Sequence, residues 1–190
     1  MPDRGSPDRR GSRGATGTDS QGQVSRISKL FTREADEHAA YLASRYDDHQ
    51  RRLRPHTQGS EFFAEVAELD GLTYARTSYT KATVETICPA MPMIFVGHLH
   101  AGRYHLRWRG GEMSMVGKGV MLFPPGGFTH LNDCTDNSVV TVRLDVVLRV
   151  AEESSGLNRD QVRFTGVTPI SENARRQWLA TAAYARHAGR

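Results

Sequence analysis

From Glu61 to Leu148 apolar and polar positions alternate in short runs broken by glycine-rich turns. Phe62–Leu69 and Leu72–Tyr79 flank Asp70-Gly71, a dipeptide suited to the positive φ angles of a two-residue hairpin. Lys81–Cys88 reads as the next strand, and Met93–Ala101 as the one after it. Gly102 leads into Arg103–Trp108, where Tyr104, Leu106 and Trp108 alternate with Arg103, His105 and Arg107. The aromatic face of that strand is expected to point inward. Both faces of 93–101 carry apolar residues, so periodicity leaves its facing open. Gly110-Gly111 turns the chain into Glu112–Val116. Gly117 to Gly119 leads into Val120–Phe123, and Ser138–Val147 is the last long strand. Met113, Met115 and Met121 are expected to pack the interior. Short strands at this spacing predict a β-barrel or sandwich.

Helical spacing flanks this block. Thr32 to about His49 predicts a first helix. Thr32 is its N-cap, Glu34, Asp36 and Glu37 complement the dipole, and Ala35, Ala39, Leu42 and Tyr46 form one face. Arg51, Arg52 and Arg54 follow and are expected to be a solvated helix end rather than a phosphate site. Beyond Leu148 the pattern predicts a short helix ending near Gly156 and a strand over Gln161–Thr165. Ser171 then caps a final helix, Glu172 to about His187, with a stripe of Ala174, Trp178, Ala182 and Ala185 widened by Leu179. The chain divides into a disordered tail (1–28), a helix with its connection (29–60), the barrel (61–168) and a C-terminal helix (169–190).

The 190 residues suit one compact domain with appendages, and the mean hydropathy of −0.53 is low for it. The excess polarity lies in residues 1–22, which contain no large apolar side chain and cannot offset the entropy of ordering. They read as disordered, or as a misplaced translation start. Arg9-Arg10 lacks the apolar core of a twin-arginine signal, and no apolar run is long enough to span a bilayer, so no membrane partner is expected. A net charge of +4 is a weak pointer to nucleic acid. Cys88 and Cys134 lack secretory context and metal-ligand spacing, which predicts a reduced, cytoplasmic protein.

The segment Gly119-Val-Met-Leu-Phe-Pro-Pro125-Gly-Gly127-Phe-Thr-His130 resembles the second cupin motif, which closes a small antiparallel barrel. In metal cupins the first motif supplies two His and a Glu ahead of a Gly about one hairpin upstream. Here that Gly is matched by Gly102. The Glu position then falls on Phe95 and the His positions on the stretch from Cys88 to Met91, and none of these matches the family's ligands.

The order of elements also resembles the N-terminal sensing domain of AraC/XylS-type transcription regulators, over roughly residues 29–187. The matching features are the acidic-start helix leading to Tyr46, Asp70-Gly71-Leu72, Met93 to Gly102, Gly119–Gly127, Val142-Arg143-Leu144 and Gln177-Trp178-Leu179. The resemblance implies a mainly β, cupin-like (jelly-roll) barrel with an N-terminal helix and a C-terminal dimerisation-type helix. It implies a small organic effector in the barrel, and a homodimer or a pairing with a full-length regulator. The family's second dimerisation helix and its helix-turn-helix domain do not follow, so no DNA binding by this chain alone is expected.

Tyr104 and Trp108 are the expected walls of a ligand pocket, because a ring with a polar tip suits small-molecule sites. His98, His100 and Arg143 are expected to add polar contacts if they turn inward. Trp178, Leu179 and Ala182 are the expected association stripe. His98, His100, His105 and His130 invite a metal, but no carboxylate stands with them, so no metal or other cofactor is expected. No nucleophile elbow, phosphate loop or paired carboxylates appear, and no catalytic residue is expected. The expected function is therefore the effector-sensing and dimerisation module of an AraC-type regulator. The alternative is a small cupin-type metal-dependent enzyme with a nonstandard His site.

Overall fold

The structure, a computed structural model, describes residues 26–44, 49–56, 59–69 and 71–188. In order they form β1 (Arg26–Thr32), α1 (Ala35–Ala43), β2 (Gln50–Pro55), β3 (Glu61–Leu69), β4 (Leu72–Thr80), β5 (Ala82–Cys88), β6 (Met93–Trp108), β7 (Gly111–Val116), β8 (Gly119–Phe123), β9 (Phe128–Arg143), α2 (Leu144–Ser155) and α3 (Glu172–Ala188). The mainly β expectation with flanking helices holds. No helix among the described residues is long and apolar enough to cross a membrane.

All strand pairs are antiparallel, and the two long strands β6 and β9 organise them. They pair from Met93↔Arg143 to Trp108↔Phe128. On its other edge β9 carries β4 along 136–142 and β5 along 128–133. On its other edge β6 carries β8 and then β7. The result is a curled sheet with two wings, β1-β3-β4-β9-β6-β8 and β2-β5-β9-β6-β7. The wings face each other across one interior, in which Leu99, Leu106 and Met121 are fully buried. Burying each such side chain stabilises the fold by roughly 2 kcal/mol. At the open end α1 sets Leu42 and His38 inward, and the His38 ring stacks on Phe62 at 5.2 Å and meets Tyr79 edge-on at 5.3 Å.

The wings separate where β6 and β9 bend together. The β6–β9 register shifts between Leu99 and Arg103, and Gly102 has φ +93 while Cys134 opposite has φ +49. A Cβ on Gly102 would sit 2.3 Å from the carbonyl oxygen of Cys134 and 2.7 Å from the Cα of Thr135. Glycine is required here twice, for its dihedral and for the close approach of two backbones.

Several boundaries differ from the sequence reading. Residues 26–28, assigned to the tail, begin β1. The first helix is shorter than expected, and Thr32 closes β1 while its Oγ1 accepts the Glu34 N–H at 3.0 Å. Arg51, Arg52 and Arg54 lie on β2, not at a helix end. Met93–Ala101 and Arg103–Trp108 are one bent strand. The last strand begins ten residues earlier than expected, at Phe128, and Leu144–Val147 start α2, whose end at Gly156 agrees with the expectation. Gln161–Thr165 contains no strand. Residues 1–25, Tyr46, Asp70, Gly189 and Arg190 lie outside the described residues.

The α3 stripe is covered by the chain's own barrel. Ala182 is 8% exposed and packs with Ala67, Tyr74 and Val140 on the outer face of the first wing, with Trp178, Leu72 and Val142 around them. Trp178 and Leu179 are half-buried. The sheet's apolar outer face takes Ala182, while Trp178 and Leu179 keep part of their surface exposed.

Gly102→Ala should destabilise the protein by at least about 3 kcal/mol, since it combines left-handed strain with a backbone collision. Urea unfolding checks this. The midpoint should fall with the slope unchanged, and an unaltered midpoint would show that the bend yields freely.

Candidate functional site

Both wings line one cavity of about 90 Å³ inside the barrel. Ala75, Thr77 and Tyr79 reach it from β4, Phe95 from β6 and Phe123 from β8. From the other wing come Arg51 on β2, Thr86 and Cys88 on β5, and Tyr104 on β6. β9 crosses both wings and contributes most, with Phe128, His130, Asn132, Asn137, Val139 and Thr141.

Phe95, Phe123 and Phe128 pack edge-on or tilted, with centroids 5.0–6.3 Å apart. The ring of His130 stacks on Tyr104 at 5.2 Å with an interplanar angle of 12°. Asn137 is tied into the wall, since Thr77 Oγ1 donates to its Oδ1 at 3.2 Å and its Nδ2 donates to Thr135 Oγ1 at 3.4 Å. By contrast Tyr104 Oη, His130 Nδ1 and Asn132 Oδ1 are closed off from solvent without a well-formed hydrogen bond, the His130 ring and the Asn132 side chain meeting only at loose geometry. Buried polar groups are rarely left so, because each costs about 1–3 kcal/mol. Three on one cavity point to an occupant that satisfies them.

Burial keeps these groups uncharged. It drives His130 down from 6.5 to about 3, helped by the positive charge of Arg51 and by His49, with Asn132 opposing. It pushes the Cys88 thiol up to about 12 against the pull of Arg51, and holds the Tyr104 phenol well above its ordinary range. Arg51 is the cation at the rim, and its guanidinium donates to His49 Nδ1 at 3.0 Å. A His that protonates only near pH 3 is a weak general base, and a thiol held protonated is a weak nucleophile. The cavity is built to donate and accept hydrogen bonds.

Of the five side chains expected at a ligand pocket, Tyr104 alone lines this cavity. His98 and His100 turn to the outer face, where their rings lie 4.1 Å apart and His100 Nε2 contacts Ser138 Oγ at 2.9 Å. Trp108 sits at the barrel end, its indole packed along Gly110 and Gly111. Arg143 is exposed and donates to Asp145 at 2.7 and 3.0 Å. The alternation of Arg51 with Leu53 along β2 was the available signal for Arg51. His130 was visible through the barrel-closing spacing. Asn132 carries no sequence signal.

No family model and no curated protein matches the sequence. Solved structures do match. The AraC-like transcriptional activator CuxR aligns at a TM-score of 0.52 and 11% identity, over 69% of this chain and 53% of that one. This chain thus spans about half the length of that activator. A predicted oxalate decarboxylase from Thermotoga maritima aligns at 0.36 and 12% identity, over 53% and 97% of the two chains. An RmlC-like cupin from Shewanella frigidimarina aligns at 0.35 and 13%, over 50% and 84%. The fold is cupin-like. At this identity the likeness shows the fold alone, so the function must come from the site.

A cupin metal cage does not fit these residues. Phe95 presents a ring at the Glu position, and Cys88 offers a protonated thiol in the stretch where the His pair belongs. His49, Cys88 and His130 line the cavity, but among the described residues they do not bring three ligand atoms within 4.8 Å of one another.

Acid should destabilise the protein through its histidines. Burial lowers His38 and His98 from 6.5 to about 4, with Arg51 adding to the first and His100 and Arg175 to the second, and it lowers His130 further. The unfolded chain binds these protons first. Their contribution is therefore complete above about pH 6.5 and is lost as pH falls toward 4. Urea midpoints should decline through this window, and His130→Leu should flatten the decline. Equal midpoints at pH 7 and pH 5 would contradict the assignment.

Proposed function

We propose that the barrel is the small-molecule sensing module of an AraC-like transcription regulator, and that its ligand is a small, uncharged compound with both donor and acceptor atoms. The observation that carries this reading is the gathering of Tyr104 Oη, His130 Nδ1 and Asn132 Oδ1, buried and unpartnered, on the lining of one cavity. The likeness of the fold to an AraC-like activator supports the regulatory part. The phenyl rings would flank a flat ligand, and the three polar atoms would fix its orientation. A cavity of about 90 Å³ is small beside the usual ligand pocket of about 300–1,000 Å³, so binding a larger effector would widen it. α1, which sets Leu42 over the cavity, is the element that would move, and that displacement would report occupancy to the surface.

Tyr104→Phe separates a binding role from a structural one. Removing an unsatisfied hydroxyl while keeping the ring should leave the melting temperature of the free protein unchanged or raised. The same change should weaken a ligand that uses the hydroxyl about five- to tenfold. Ligand-observed NMR and thermal shifts with small uncharged heterocycles, compared between the two proteins, test both halves. A large loss of stability in Tyr104→Phe, with heterocycle binding unchanged, would assign Tyr104 to packing.

A further inference from the structure

A second constellation lies on the outside of the barrel. His56 follows the end of β2, and Asp133 and Cys134 stand at the bend of β9. One ligand atom from each lies within 4.8 Å of the other two. His56 Nε2 is 3.5 Å from Asp133 Oδ1, and His56 Nδ1 is 3.9 Å from Cys134 Sγ. Ligand atoms around a tetrahedral zinc ion, bound at about 2.0–2.3 Å, stand roughly 3.3–3.6 Å apart. These two approaches use opposite nitrogens of the ring, Nε2 toward Asp133 and Nδ1 toward Cys134, so an ion would draw one nitrogen and the other two ligand atoms together from within 4.8 Å.

Their supports point the same way. The Arg103 guanidinium donates to Asp133 Oδ2 at 2.6 and 2.9 Å, which leaves Oδ1 facing His56. The same contact, chiefly, holds the Asp133 carboxyl below its ordinary range and so ionised. His56 Nε2 is 2.5 Å from Thr83 Oγ1, on the strand beside β9. Cys134 is exposed and adopts φ +49, a left-handed conformation that residues other than glycine seldom take.

We propose that His56, Asp133 and Cys134 form a binding site for a zinc-class divalent cation, one imidazole nitrogen, Asp133 Oδ1 and Cys134 Sγ being the protein ligands and solvent the fourth. Thiolate with imidazole selects zinc-class ions over magnesium or calcium. Thiolate and carboxylate balance the two positive charges of the ion, and Arg103 stays engaged on the far carboxylate oxygen. The ion would tie the end of β2 to the β9 bend. β2 also carries Arg51, so the site would steady the strand that brings a cation to the barrel cavity.

Cobalt(II) and zinc titrations of chelator-stripped full-length protein test the proposal. We expect one equivalent of cobalt(II), a near-ultraviolet thiolate-to-metal band that zinc abolishes, and a melting temperature that rises with free zinc. Cys134→Ser should remove the band and weaken zinc binding at least about 100-fold, the upper end of what even an outer partner of a metal ligand costs. His56→Ala should weaken it comparably, and it carries the test if Cys134→Ser does not fold. Cys88→Ser should change neither. Binding only at millimolar metal, or a band that persists in Cys134→Ser, would overturn the assignment.

Discussion

The fold depends on one close approach, Gly102 against Cys134. β6 and β9 are each sixteen residues long and pair from end to end except at the corner between Leu99 and Arg103. Left straight, they would carry a flat sheet with no interior. The bend turns the two wings toward each other. It also sets the parity of each strand on either side, so that Leu99 before it and Tyr104 and Leu106 after it all face inward. Cavity, core and the outer His56–Asp133–Cys134 cluster follow from that single corner, since Cys134 is both the partner of Gly102 and a member of the cluster.

The interior that results is a compromise between packing and polarity. Three phenyl rings and the buried leucines exclude water, which strengthens every hydrogen bond the cavity can make. The same exclusion makes each unmade bond costly. Asn137 is satisfied by Thr77 and Thr135, so it belongs to the wall. Tyr104, His130 and Asn132 are not, and they stand on the two longest strands close to the corner. Polar groups left open where the backbone is most constrained are poorly explained as packing.

That compromise also explains what the sequence showed and what it hid. The hairpins, the inward facing of Tyr104 and Leu106, the barrel-closing turn before His130 and the last helix follow ordinary alternation or helical spacing, and all were legible. The first half of β9 was not. Its inward residues His130 and Asn132 are polar, so the strand lacks the apolar period that marks strands. β2 hid for the same reason, with Arg51 facing in. β1 is an edge strand whose Phe31 is 64% exposed, and no apolar face announces it. Local rules fail where a site breaks them, and β2 and the first half of β9 both line the cavity. His98 and His100 mislead in the opposite sense, since alternation places them together but only the bend decides which face they share.

The uncharged state of the cavity bears on selectivity. A charged pocket attracts any ion of opposite sign and loses strength with salt. This one offers a neutral imidazole, a neutral phenol and a neutral amide, with Arg51 at the rim. These atoms are already closed off from solvent in the free protein, so a ligand that pairs all three recovers a cost the fold has borne, and one that leaves an atom unpaired recovers less. Analogues lacking a single matching donor or acceptor forgo part of that gain, and discrimination rests on the difference. The sensing role proposed above calls for that property.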